Sequence, residues 1–388
     1  MPSDQGSNPY AASMTTRDPG TSKDTGVSIA KTPVKMPVKR RLTLVVAAVV
    51  LVLLPAIVMV LITWVGTGEV QGAATWASIP AIVGIAAAMS GGRRYAVIVA
   101  IVMGFLAPLA IVAGMSPVSG AALMAILCMT VGRLSRVGLQ KSGLLVPVML
   151  SWALIDPPSW DGATSVDRLD TEFLLWMALI FFVGGLIPAL LVSYLQRKRK
   201  PATLAPHSRS EAMTYTVMIT TLVTVATFYV LDNPKMIGGA FLIAVIMVMA
   251  PIGTAQTLKP TVFRVLATIL GSVFIILLVS QVHELGLVYL IGLAFLVISV
   301  FARLSGLAWV YYAFMVPATA CLNSTTLTQV GELGKQRVVD NVVGGILVVV
   351  ATALAIGYSQ WASSRGAVTD DDDEVASVAG YGLNLRTS

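Results

Sequence analysis

The chain has 388 residues, of which 56% are hydrophobic and only 12% are charged, about half the charged share of an ordinary soluble domain. A soluble fold of this length could not bury so much apolar surface, so the composition predicts a polytopic membrane protein. Two cysteines exclude a disulfide-rich scaffold, and membrane topology explains the net charge of +7 better than nucleic-acid binding does.

The first 41 residues differ in composition from the rest of the chain. Residues 1–41 are rich in Ser, Thr, Gly, Pro and Asp and lack an apolar period, which predicts a disordered cytoplasmic tail. A cluster of basic residues ends the tail, directly before the apolar run 42–65. A cleaved secretory signal has an apolar core of only about 7–15 residues, so this longer run favours an uncleaved first membrane helix.

Apolar runs of membrane-spanning length fill the rest of the sequence. A helix needs about 20 apolar residues to cross the hydrocarbon core. By this rule we predict an all-α fold with twelve spans. They are 42–65, 74–91, 95–115, 117–132, 142–156, 173–196, 212–231, 236–251, 261–281, 285–301, 306–322 and 339–361.

The distribution of basic residues supports this count. With the N-terminus in the cytoplasm, thirteen Lys and Arg residues fall in inner loops and four in outer loops. The inner residues are Arg93, Arg94, Arg133, Arg136, Lys141, Arg197, Lys198, Arg199, Lys200, Arg209, Lys259, Arg264 and Arg303; the outer ones are Arg168, Lys235, Lys335 and Arg337. Cytoplasmic loops carry the excess of positive charge, so both termini are predicted to be cytoplasmic.

The twelve spans divide into two similar halves. A shift of 170 residues places Arg94 on Arg264 and Asp170 on Asp340. An even number of helices per half gives both halves the same orientation, as in parallel transporter repeats. We therefore predict six-helix units at 42–196 and 211–362, a basic cytoplasmic linker at 197–210 and an acidic cytoplasmic tail at 363–388.

Four residues are candidates for substrate binding. Arg264, Thr268 and Gly271 follow one another at helical spacing, so they share one face of the ninth span. An Arg followed by small or hydroxyl residues could bind an anion near the inner mouth. Arg94 is the repeat counterpart of Arg264. Interfacial anchoring is the alternative role for both arginines.

Four further residues are candidates for coupling or gating. Asp340 is predicted to begin the last helix, with Arg337 one turn before it; the alternative is a simple structural ion pair. Pro147 and Pro317 lie in the fifth span of each half. Proline frees a helix carbonyl, and broken helices can build transport sites, although a packing kink is the simpler explanation.

The sequence lacks the motifs of common enzymes. It has no nucleotide-binding P-loop, no H-E-x-x-H zinc spacing and no G-x-S-x-G nucleophile elbow. We therefore predict no enzymatic activity, no catalytic residue, no metal and no cofactor.

Two segments carry a family resemblance. Residues 251–271 (PIGTAQTLKPTVFRVLATILG) and 337–345 (RVVDNVVGG) resemble stretches of the fusaric acid resistance and aromatic acid exporter family of bacterial membrane proteins. The resemblance implies efflux of aromatic or other organic acids, driven by ion gradients or by membrane potential. Plant aluminium-activated malate channels are distantly similar, which leaves an anion channel open.

We therefore predict that the protein is a secondary transporter in the bacterial cytoplasmic membrane. Its expected partners are the lipid bilayer and a small organic anion, aromatic acids among them, and no nucleic acid. The first alternative is a passive organic-anion channel, which a homodimer could form. The second is a membrane scaffold whose charged tails recruit partner proteins of the cell envelope.

Overall fold

A computed structural model describes most of the chain from residue 73 to residue 364. The described residues are 73–157, 169–195, 206–233, 239–250, 258–282, 284–305, 307–322, 324 and 326–364, with scattered helical residues between 45 and 57. They belong to one compact unit, Leu42–Ser388. The predicted tail 1–41, residues 365–388 of the predicted acidic tail, most of the linker 197–210 and most of the first span 42–65 lie outside the described residues.

The described residues form helices and no strand, which confirms the all-α prediction. The helices of the first half are α1 (Ala73–Ala113), α2 (Pro117–Arg136), α3 (Gln140–Gly143), α4 (Leu145–Ile155) and α5 (Thr171–Leu195). Those of the second half are α6 (Arg209–Asp232), α7 (Gly239–Met249), α8 (Leu258–Gln281), α9 (Leu285–Ser305), α10 (Ala308–Leu322) and α11 (Leu327–Ser364).

Helix α1 is two helices that meet at a sharp reversal. Gly92 has φ 77° and ψ −172°, a backbone conformation that favours glycine and interrupts the helix. Both legs contact the same residue of α5, since Gly185 lies beside Pro80 of the first leg and Ala100 of the second. Twenty residues of straight helix would separate Pro80 and Ala100 by about 30 Å. The two legs therefore lie side by side as a helical hairpin and correspond to the separate predicted spans 74–91 and 95–115.

Among the described residues, six helical segments are long and apolar enough to cross a membrane, by length and composition. They are Ile79–Ala113, Pro117–Arg136, Thr171–Leu195, Arg209–Asp232, Leu285–Ala302 and Leu327–Gly357. Four apolar segments are shorter: Gln140–Ile155, Gly239–Met249, Val265–Gln281 and Trp309–Leu322. The chain is thus a multi-pass α-helical membrane protein, whereas the predicted count of twelve spans is not confirmed.

Glycine residues allow close packing of the last helix of each half. In α5, Gly185 contacts the two legs of α1; a Cβ there would lie 3.5 Å from the Cβ of Ala100. In α11, a Cβ on Gly345 would lie 3.4 Å from Cγ2 of Val265 on α8 and 3.9 Å from Sδ of Met249 on α7. Small residues let helix backbones approach in a membrane, where packing replaces the hydrophobic effect as the driving force.

These contacts favour a different register for the repeat. In that register Gly185 aligns with Gly345 and Ala100 with Val265, so Arg264 aligns with Val99, whereas the 170-residue shift aligns it with Arg94. The places of Asp170 and Asp340 in their helices do not support the predicted pairing of these two residues. Asp170 is exposed directly before α5, where its Oδ1 accepts a hydrogen bond from the amide of Glu172. Because the spacing between equivalent residues differs from helix to helix, a single shift of 170 residues cannot align all of them.

Helix α11 begins earlier than the sequence predicts. The expected start was residue 339, but the helix begins at Leu327. Its first turns contain Glu332, Lys335 and Gln336, and these polar residues resemble a loop when only hydropathy is considered. The consequence is that Asp340 does not begin the last helix: Asp340 and Arg337 both lie well inside it.

Candidate functional site

Two charged side chains are buried among the described residues, and both belong to α11. Arg337 is 4% exposed and Asp340 is 1% exposed. Charged groups inside a membrane protein are costly and usually mark a site where ions or substrates bind. Asp340 is buried because the early start of α11 carries it into the helix and away from the predicted helix end.

The guanidinium group of Arg337 lies against an aromatic ring. Its Cζ atom is 4.2 Å from the centroid of Phe241 on α7, which is the geometry of a cation–π interaction. The Nε and Nη1 atoms of Arg337 are buried and have no hydrogen-bond partner within the described structure. The three N–H groups on these two nitrogen atoms are therefore buried and are available to donate to an acceptor.

The carboxylate of Asp340 is bonded on one side only. Its Oδ1 accepts a hydrogen bond of 2.9 Å from Nε2 of Gln336, one turn earlier in α11. Its Oδ2 is buried and has no partner among the described residues. The adjacent Asn341 is also buried, and its Nδ2 donates to the carbonyl oxygen of Arg337 at 2.6 Å. The polar cluster, which we define as Gln336, Arg337, Asp340 and Asn341, thus leaves donors and an acceptor unused.

Helix α8 brings hydroxyl groups to the same level of the fold. It runs antiparallel to α11, since Ser272 lies near Gly334 while Val265 lies near Gly345. Thr268, halfway between Val265 and Ser272, is therefore level with Asp340. Thr268 and Ser272 are both buried, and the Oγ atom of Ser272 has no hydrogen-bond partner in the described part of the chain.

Two of the predicted residues meet at the crossing of α8 and α10. A Cβ on Gly271 would overlap the carbonyl oxygen of Ala313 and lie 3.1 Å from Cδ of Pro317. Pro317 has no N–H, so the carbonyl four residues before it, that of Ala313, loses its helical partner. Gly271 lets α8 cover this carbonyl at close range. The structure therefore gives Gly271 and Pro317 a shared packing contact; whether they also take part in binding or gating stays a prediction.

The remaining predicted residues are spread over the fold. Arg264 lies in α8, but its side chain is outside the described residues. Arg94 is exposed on the second leg of α1, in the first half. Pro147 is buried at the start of α4, where it follows the interruption between α3 and α4. Nothing described joins these three residues to the polar cluster.

Sequence reasoning missed three parts of the site. Phe241 was read as one residue of an apolar span, since nearly every residue of Gly239–Met249 is apolar and no face stands out. Gln336 was assigned to a loop, although its spacing of four residues from Asp340 is that of a helical pair. Ser272 lies one residue beyond the predicted set Arg264, Thr268 and Gly271.

The fold and the site together define a multi-pass α-helical membrane protein with an unsatisfied polar cluster inside its second half. Residues 222–351 match the model of a family described as fusaric acid resistance protein-like. This match confirms the resemblance over that part of the chain, and it contains α7, α8 and the whole polar cluster. No curated protein and no solved structure matches the chain. The family match indicates a role in membrane transport or resistance and gives no support to an enzymatic role.

Proposed function

We propose that the protein is a secondary transporter that exports small organic acids, aromatic acids among them. The observation that carries the proposal is the buried guanidinium of Arg337, whose Nε and Nη1 atoms have no hydrogen-bond partner among the described residues, within the segment that matches the family. Arginine presents a planar fork of N–H donors that matches a carboxylate. A charge-assisted hydrogen bond to an anion is about twice as strong as a neutral one, so a carboxylate would satisfy the unused donors.

Phe241 supports the same proposal. Its ring holds the guanidinium from one side and so orients the fork without using any of its donors. An aromatic acid would find an apolar surface beside its carboxylate, whereas a purely polar ion would not. The unsatisfied Oδ2 of Asp340 and Oγ of Ser272 are further groups available to the ligand or to ordered water.

The basic residues support an orientation. Thirteen of the seventeen Lys and Arg residues assigned to loops from the sequence fall on one side, which is the pattern of cytoplasmic loops. We therefore place the protein in the bacterial cytoplasmic membrane with both termini inside, so that export moves the acid away from the basic face.

The test is transport of radiolabelled benzoate and succinate into proteoliposomes. Arg337→Gln should raise the KM for the transported acid by at least about 30-fold, because losing one partner of a buried charge pair costs about 2–5 kcal/mol. Lys335→Gln is the matched control, since it removes a positive charge from an exposed position on the same helix. The control should keep the wild-type KM.

The same assay separates an exporter from a channel. An exporter saturates with the acid and responds to an imposed ion gradient, whereas a passive channel follows the membrane potential alone. Wild-type protein that moves neither acid under any imposed gradient would contradict the proposal and favour the scaffold.

A further inference from the structure

The two halves build the same helix crossing from different residues. In the first half, Trp76 of α1 lies beside Phe181 of α5, with ring centroids 6.4 Å apart. The Gly185–Gly345 correspondence aligns α5 with α11, so Met177, Ile180 and Phe181 stand where α11 has Arg337, Asp340 and Asn341. All three are buried, with exposed fractions of 0% for Met177, 1% for Ile180 and 0% for Phe181.

An aromatic side chain lies on the equivalent helix of each half. Pro80 lies beside Gly185, and Met249 lies beside Gly345, so the first leg of α1 corresponds to α7. Trp76 and Phe241 therefore lie on corresponding helices, about one turn apart in this alignment. One half therefore packs Trp76 against apolar side chains, and the other packs Phe241 against a guanidinium. The two halves share the arrangement of these helices and differ in the side chains at the crossing.

This difference acts as an internal control for the role of the charges. If the crossing required a polar cluster for packing, both halves would need one. The first half forms the crossing with Met, Ile and Phe, which have no polar group to satisfy. Burying a charge without a partner is unfavourable, and apolar replacement of buried charges is often neutral or stabilising. Arg337 and Asp340 are thus not needed for the packing of the crossing.

We propose that the chain holds a single ligand site, built by its second half around Arg337, Asp340 and Phe241, and that the equivalent position of the first half is a closed apolar frame. The inference rests on the proposed function for the class of ligand, an organic anion. The new claim is that the two halves are unequal. One acid binds per chain, and the first half supports the fold without forming a second ligand site.

Equilibrium binding of radiolabelled benzoate and succinate to the purified full chain tests the number of sites. The expected result is one acid per chain in the wild type and an affinity at least about 30-fold weaker in Arg337→Gln. The apolar variants Met177→Leu and Ile180→Val should change the affinity by less than about twofold, since small apolar replacements in the first half leave the ligand site of the second half unchanged. Two acids per chain would overturn the inference and leave the proposed function standing. Binding of neither acid would sink both.

A second measurement does not depend on the ligand. The double variant Arg337→Met with Asp340→Ile copies the first half into the second. It should unfold at the wild-type temperature or above it, and it should bind no acid. A melting temperature more than about 5 °C below that of the wild type would show that the charges stabilise the fold and would overturn the inference.

Discussion

The contact between Gly271 and α10 gives the sharpest stability prediction. Gly271→Ala adds a Cβ that would overlap the carbonyl oxygen of Ala313, and this obstacle is backbone that cannot rotate away. Helix α8 must then move off α10. Overpacking of this kind costs about 1–3 kcal/mol. The matched control is Gly331→Ala in α11, because a Cβ there meets nothing within 4 Å. The control should be neutral or gain about 0.5–1 kcal/mol from helix propensity.

The native cysteines provide the assay. Cys128 and Cys321 are free and buried, so a dye that fluoresces on reaction with thiols reports unfolding without engineered labels. A heating ramp in detergent should show Gly271→Ala unfolding at a lower temperature than the wild type and Gly331→Ala at an equal or higher one. If Gly271→Ala and the wild type unfold at the same temperature, the close approach of α8 to α10 does not contribute to stability, and the reasoning is refuted.

Three further predictions concern transport and orientation. In everted vesicles, Asp340→Asn should abolish the response of acid uptake to an imposed pH gradient if this carboxylate carries the coupling proton; a full response would leave Asp340 with a structural role. Arg264→Ala should lower transport and Arg264→Lys should lower it less, because lysine keeps the charge but loses the planar fork; wild-type rates in both variants would make Arg264 an interfacial anchor. A cysteine at the exposed Ser210, at the start of α6, should react with an impermeant maleimide only after the cells are opened; labelling of intact cells would reverse the proposed orientation.

Much of the helix arrangement could be predicted from the sequence, because hydropathy reports directly on burial in a membrane. The break between the predicted spans 74–91 and 95–115 is an example: the intervening glycines and arginines are polar or conformationally free, and the structure reverses at Gly92. The start of α11 could not be found in this way. Residues 327–338 mix polar and apolar side chains, and hydropathy cannot tell a polar helix that packs inside a bundle from a loop.

The candidate site was predictable only in part. The sequence indicates that Arg337 and Asp340 are close together and offers a mutual ion pair at a helix end as one role. The structure instead buries both groups inside the helix, where some of their hydrogen-bonding atoms have no partner among the described residues. Phe241 could not be found, since its role depends on which face of α7 meets α11, and an apolar segment without a period does not reveal its faces. The difference between the two halves could be recognised only from the positions of Met177 and Ile180 in the structure.

The reversal at Gly92 has a consequence for how the protein enters the membrane. The two legs of α1 are joined at a single non-helical residue, Gly92, and no loop separates them. The first leg therefore has no connecting segment that would let it span the bilayer before the second leg is synthesised. We expect the legs to insert together as a helical hairpin, held at the turn by Arg93 and Arg94, which are both exposed. A side chain at position 92 would strain the turn, since Gly92 has φ 77°. Such a substitution should therefore appear as a biogenesis defect, with less protein inserted and normal behaviour of the molecules that succeed.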